Sequence, residues 1–148
     1  MKIAKAALAQ ETAVSRDENA DIAQKLLACI GRGAEPDEIA ALFRHDVELE
    51  IAGDVGALPW IGRQAGRNAV SDFFSDVRRL TQPVRFDVQA VMADESRAVI
   101  LGTLASKVSA TGRIIETAFA IILMISDRKI TRFQMLEDSF AVSRAARP

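Results

Sequence analysis

The chain is predicted to fold as an α+β domain, with helices covering one face of a mostly antiparallel sheet. Three observations predict it. Helical periodicity is confined to the first eighty residues, apart from one short alternating segment. Four alternating or apolar segments then follow in series. Short turns join those segments, where parallel strands would need helical crossovers. With 148 residues, 49% hydrophobic and 26% charged, the sequence has the size and composition of one globular domain.

The elements are justified in chain order. Residues 1–14 are expected to form a flexible leader, with the domain proper spanning 15–148. Ser15-Arg16-Asp17-Glu18 has the form of a capping box. Behind it Ile22, Leu26 and Ile30 recur every four residues beside Ala23 and Leu27, and Gly31 and Gly33 supply a stop. Pro36, followed by Asp37 and Glu38, opens a short second helix whose buried side is Ile39, Leu42 and Phe43. From Asp46 the period changes: Val47, Leu49 and Ile51 alternate with Glu48 and Glu50, as in a half-buried strand. A Gly-rich loop with Pro59 and Trp60 follows. Val70, Phe73, Phe74, Val77 and Leu80 give a third helix, with Pro83 just past its end. Strands are then expected over Val84 to Met92, Ala98 to Val108, Arg113 to Ile125 and Ile130 to Asp138.

Composition excludes several classes. Nineteen Lys+Arg against twenty Asp+Glu leave a net charge of -1 and a pI near 5.9, without the clustered cations that nucleic-acid binding needs. Cys29 alone makes no internal disulfide and, with one histidine, no metal site is expected. The most apolar run, Ile114 to Ile125, is broken by Glu116 and Thr117 and is too short to span a membrane as a helix. The expected location is the cytoplasm.

The two longest strands carry a further signal. Ala98 to Ala105 and Ala118 to Ile125 are apolar at both odd and even positions, whereas a strand with one solvated face should alternate. Three helices cover one face, so the second is expected to be covered by another subunit in a two-fold homodimer through the sheet.

Three stretches together resemble the SnoaL-like branch of the NTF2-like superfamily, shared with ketosteroid isomerases and polyketide cyclases. They are Leu42-Phe43-Arg44-His45-Asp46-Val47-Glu48-Leu49, the Gly62-to-Val70 segment opening the third helix, and the closing Ile130-to-Asp138 strand. The resemblance runs from about Asp21 to Val142. It implies a cone, in which the sheet curls around the helices and leaves an apolar pocket at its open end. Ile51, Trp60, Phe74, Ala120, Gln134 and Leu136 are the ligand-binding residues it suggests. Each apolar side chain among them reads first as ordinary core, apart from Trp60, a large ring in a loop of Gly and Pro residues where no strand pattern requires it and where it can cap a ligand as readily as the core.

The chemistry implied by the resemblance narrows to one group. The isomerase reaction, a worked case of carboxyl tuning, uses an aspartate base with a tyrosine and a protonated aspartic acid. This chain has no tyrosine, and the two carboxyl positions fall near Ile51 and Ala120. The limonene epoxide hydrolase pattern fails too, because neither long strand holds Arg-x-Asp. Asp138 matches the aspartate that closes the last strand in SnoaL-like cyclases. There it would transfer a proton, without a cofactor, on a small apolar carbonyl compound. Its alternative role is to cap a C-terminal turn over Ser139 to Val142. Two further readings stand beside the enzyme: a non-catalytic binder of a hydrophobic ligand, and a dimerisation module with a filled pocket. His45 reads as structural, Glu48 and Glu50 as a solvated strand face, and Glu116 as either pocket mouth or surface.

Overall fold

The computed structural model describes residues 2–148. In chain order it contains α1 (Lys2–Gly31), α2 (Pro36–Ala40), β1 (Phe43–Ile51), β2 (Gly62–Ala65), α3 (Arg67–Leu80), β3 (Thr81–Ala93), β4 (Arg97–Val108), β5 (Ile114–Ser126), β6 (Lys129–Glu137) and α4 (Ser139–Ala146). The six strands form one curved, unclosed sheet in the order β2-β1-β6-β5-β4-β3. Every pairing is antiparallel except β1 with β6.

The α+β cone is the architecture expected, with differences at its ends. The helix predicted to start at Ser15 begins at Lys2, so the capping-box sequence lies inside α1 and most of the expected leader is helical; Met1 lies outside the described residues. At 30 residues, α1 is about 45 Å long. Only its second half is fixed to the domain. There Asn19, Ile22, Ala23 and Leu26 are buried, and Asn19 Nδ2 donates to the Asp94 carbonyl in the β3–β4 turn at 3.0 Å. Two elements lie beyond the sequence expectation: β2, whose residues read as part of the approach to α3, and α4 as a full two-turn helix.

The turns follow their residue chemistry. Asp127 and Arg128, with φ of 49° and 61°, close the β5–β6 hairpin between the paired Ser126 and Lys129. Positive φ at both central residues is the mirror-image turn that suits strand twist. Pro83 lies within β3, which tolerates it because β3 is an edge strand.

The core lies between the concave face and the helices. Val70, Phe73 and Phe74 of α3 are buried, as are Phe43, Val47, Leu49 and Ile51 of β1 and Phe133 of β6. Aromatic rings run through it in sequence: Trp60 meets Phe73 edge-on at 6.0 Å, Phe73 meets Phe133 at 5.8 Å, and Phe133 meets Phe43 at 6.2 Å.

Candidate functional site

Register decides which side chains share a face. Residues directly opposite in a ladder point the same way, and successive residues alternate. On β5, Ile115, Thr117, Phe119, Ile121 and Leu123 are buried, which makes theirs the concave side. Their β6 partners follow: Leu123 opposes Phe133, Ile121 opposes Met135 and Phe119 opposes Glu137. Glu137 is therefore the last concave residue of β6, a carboxyl at the rim of an apolar wall. Burial raises its pKa from 4.5 to about 7. Among the described carboxyls it alone shows such a rise.

Asp138, the residue favoured from sequence, is exposed and serves as the N-cap of α4. Its Oδ1 accepts from the Ala141 amide at 3.1 Å, which is the capping role weighed as its alternative. The Asp138 amide donates to Thr117 Oγ1 at 2.8 Å, and that hydroxyl donates to the Ala118 carbonyl. Buried Thr117 thereby fixes the backbone next to Glu137. Asp54, in the β1–β2 loop, accepts from Ser143 Oγ at 2.7 Å and from Arg147 Nε at 2.6 Å, anchoring α4 from the other side. These bonds, the arginine's first, hold the Asp54 carboxyl down at about 2.

The six residues expected to bind ligand divide between the two faces. Ile51, Trp60 and Phe74 lie in the packed core of the concave side. Ala120, Gln134 and Leu136 lie on the convex side, in register with Leu101 and Ile122. Glu116 is also convex and pairs with Arg85 at 3.4 Å. Glu50 carries an ion pair with Arg132 at 2.6 Å, and His45 is exposed on β1. Parity would have found Glu137. Phe133 and Met135 are apolar while Arg132 and Gln134 are polar, so the odd positions of β6 are the inward ones.

Beside Glu137 stands an aromatic platform. Phe119 stacks on Phe86 at 5.0 Å and 14°, across β4. It does so because residue 102 is glycine. A Cβ there would lie 2.7 Å from Phe119 Cζ and 2.9 Å from Cε1, and would also collide with the Asp87 carbonyl. An open groove of about 560 Å³ lies where the start of β5 meets the end of β6, lined from both faces by residues 116–120 and 136–138; it takes in Phe119 and Glu137 but not Phe86. A second, of about 550 Å³, separates α4 from the start of β5 and is lined by Arg113, Ile114, Glu116, Ala141, Arg144 and Ala145. Among the described residues no group of three His, Cys, Asp or Glu side chains is placed to hold a metal ion, and no helix is long and apolar enough to cross a membrane.

Comparison with known proteins is decisive at one level. The profile of the SnoaL-like domain matches residues 23–133, three quarters of the chain. The chain belongs to the SnoaL-like domain family. Solved structures agree on the fold. An NTF2-like protein from Burkholderia xenovorans superimposes with a TM-score of 0.80 at 22% identity, covering 89% of this chain and 98% of that one. TerC, co-crystallised with polyporic acid, gives 0.74 at 19% identity over 87% and 98%. A protein with a ketosteroid isomerase-like fold from Catenulispora acidiphila, in complex with trimethylamine, gives 0.63 at 13% identity over 76% and 82%. No curated protein sequence matches this SnoaL-like chain. Such low identities carry the fold alone, and the chemistry has to be argued from the site.

Proposed function

We propose that this SnoaL-like domain is a cofactor-free acid–base enzyme acting on a small apolar compound that bears a carbonyl, with Glu137 as the proton-transfer group. One observation carries the reading: Glu137 ends the concave wall with its pKa near 7. A carboxyl poised there is half ionised at neutral pH, where a general base and its conjugate acid are both available. The Glu137 carboxylate takes a proton from the carbon next to the carbonyl, leaving an enolate. The carboxylic acid so formed returns the proton to that carbon or to a conjugated one. Isomerisation, or ring closure through the enolate carbon, starts from this step. The ligands named for TerC and the Catenulispora protein support an organic occupant for folds of this kind.

The test is exchange of the α-protons of α-tetralone in deuterated water, followed by proton NMR. The wild type should exchange them above the buffer rate. Glu137→Gln should lose about a hundredfold or more. Asp138→Asn should keep the rate, since asparagine caps a helix as well as aspartate. Exchange absent in the wild type, or undiminished in Glu137→Gln, would sink the assignment.

We further infer a two-fold homodimer through the convex face. Val99, Leu101, Ala118, Ala120, Ile122 and Leu136 are neighbours across β4, β5 and β6 there, and form a continuous apolar stripe in half-buried and exposed positions. Strands with one wet face do not need that stripe. Ile122→Glu places two like charges across a two-fold contact and should convert the dimer to monomer in sedimentation velocity. A monomeric wild type at micromolar concentration refutes this pairing.

A further inference from the structure

The Phe86–Phe119 pair differs from the other aromatic contacts of the molecule. Four pairs elsewhere in the core cross at angles from 51° to 85°. Phe86 and Phe119 lie nearly parallel at 14°. The two residues are not cross-strand neighbours: β4 runs between their strands. Phe119 opposes Gly102, and Gly102 opposes Val88, while Phe86 opposes Leu104. The Phe119 ring must therefore lie down across β4 to reach Phe86. Only a residue without a side chain at 102 leaves the strand bare enough for that. Phe86 closes the arrangement from the edge strand; it is 41% exposed, whereas Phe119 is 4% exposed.

The direction in which Phe119 lies matters because of its other neighbour. Its partner on the β6 side is Glu137. Directly opposed residues stand about 5 Å apart at Cβ, so a ring leaving Gly102 for another staggered rotamer enters the space beside that carboxyl. We propose that Phe119 is a positioning residue of the site: laid flat on Gly102 and pinned by Phe86, its ring keeps the space beside Glu137 open to ligand. Its role toward ligand rests on Glu137 being the proton-transfer group. The pinning of the ring does not.

The experiment removes the pin. Phe86 is exposed at a sheet edge, so Phe86→Ala should fold, as the amide NMR spectrum will report. In the wild type, Phe119 ring protons should show nuclear Overhauser contacts to the Gly102 α-protons. In Phe86→Ala these should fade and contacts to the Glu137 side chain should appear. For α-tetralone exchange, KM should rise about tenfold with kcat little changed, because the raised ring competes with ligand and leaves the acid intact. The double variant Phe86→Ala/Phe119→Ala should bring KM back toward the wild-type value. Phe119–Gly102 contacts that persist in Phe86→Ala overturn the proposal, as does a double variant no better than the single one, which would make Phe86 a direct ligand contact. The ring contacts are read without turnover. A failure of the Glu137 assignment would instead appear as undiminished exchange in Glu137→Gln while the ring still moves.

Discussion

Gly102→Ala should destabilise the domain by about 3 kcal/mol, lowering Tm by about 10 °C for a chain of this length. A new methyl group at this position meets two obstacles at once, the Phe119 ring on the concave side and the Asp87 carbonyl of the neighbouring strand. The ring can turn away, but the carbonyl belongs to backbone in the β3–β4 ladder and moves only with the strand. Alanine ordinarily gains about 0.4–1 kcal/mol over glycine by restricting the unfolded chain. Here that gain is smaller than the overpacking. Gly31 is the control, because a methyl group added there would meet nothing within 4 Å: Gly31→Ala should leave stability unchanged or slightly raised. Thermal denaturation followed by circular dichroism compares the two. A Gly102→Ala protein as stable as wild type would mean that β3 and Phe119 yield far more easily than their packing implies.

Glu137→Gln should stabilise the protein above neutral pH and make little difference in acid. The unfolded carboxyl titrates near 4.5 and the folded one near 7, so between these values the native state binds more protons than the unfolded state. Stability from this group is then fully present below about pH 4.5 and falls as the pH rises through 7. The total is about 3 kcal/mol, the cost of holding a charge at a poorly hydrated site. Glutamine carries no charge to hold there. Subtracting the wild-type from the variant unfolding free energy, measured in urea from pH 4 to pH 8.5, isolates the group from carboxyls shifted the other way, such as Asp54. A difference that stays flat over that range would show the carboxyl to be well hydrated, and would remove the physical basis of its acid–base role.

Sequence patterning reaches the architecture because that depends on periodicity summed over many residues. Ile22, Leu26 and Ile30 mark a helix, and Val47, Leu49 and Ile51 mark a strand, whatever they later touch. The start of α1 escapes it because Ser15-to-Glu18 offers a cap that the chain does not use; residues on either side are good helix formers and helix continues through it. On β6 the polar–apolar alternation of residues 132–135 already points Glu137 inward. Likeness to cyclases points instead to Asp138, and one residue's difference in a strand is a change of face. On β5 no such reading is available. Ala118 to Ile125 is apolar at both parities, and only the size order, with Phe119, Ile121 and Leu123 inward, separates Ala120 from the core.

The amino-acid sequence by itself determined the order of three helices and five of the six strands, the α+β class and the family, since each is written in local spacing and in motifs along the chain. Tertiary structure alone decided that the inward carboxyl of β6 is poorly hydrated, that Asp138 is occupied at the start of α4, and that Gly102 of β4 makes room for a ring from β5 to reach one on β3. Those outcomes depend on ladder register and on the close approach of backbones from distant parts of the chain. Hydration at one carboxyl follows from what the whole fold places around it, and no window of neighbouring residues contains that sum.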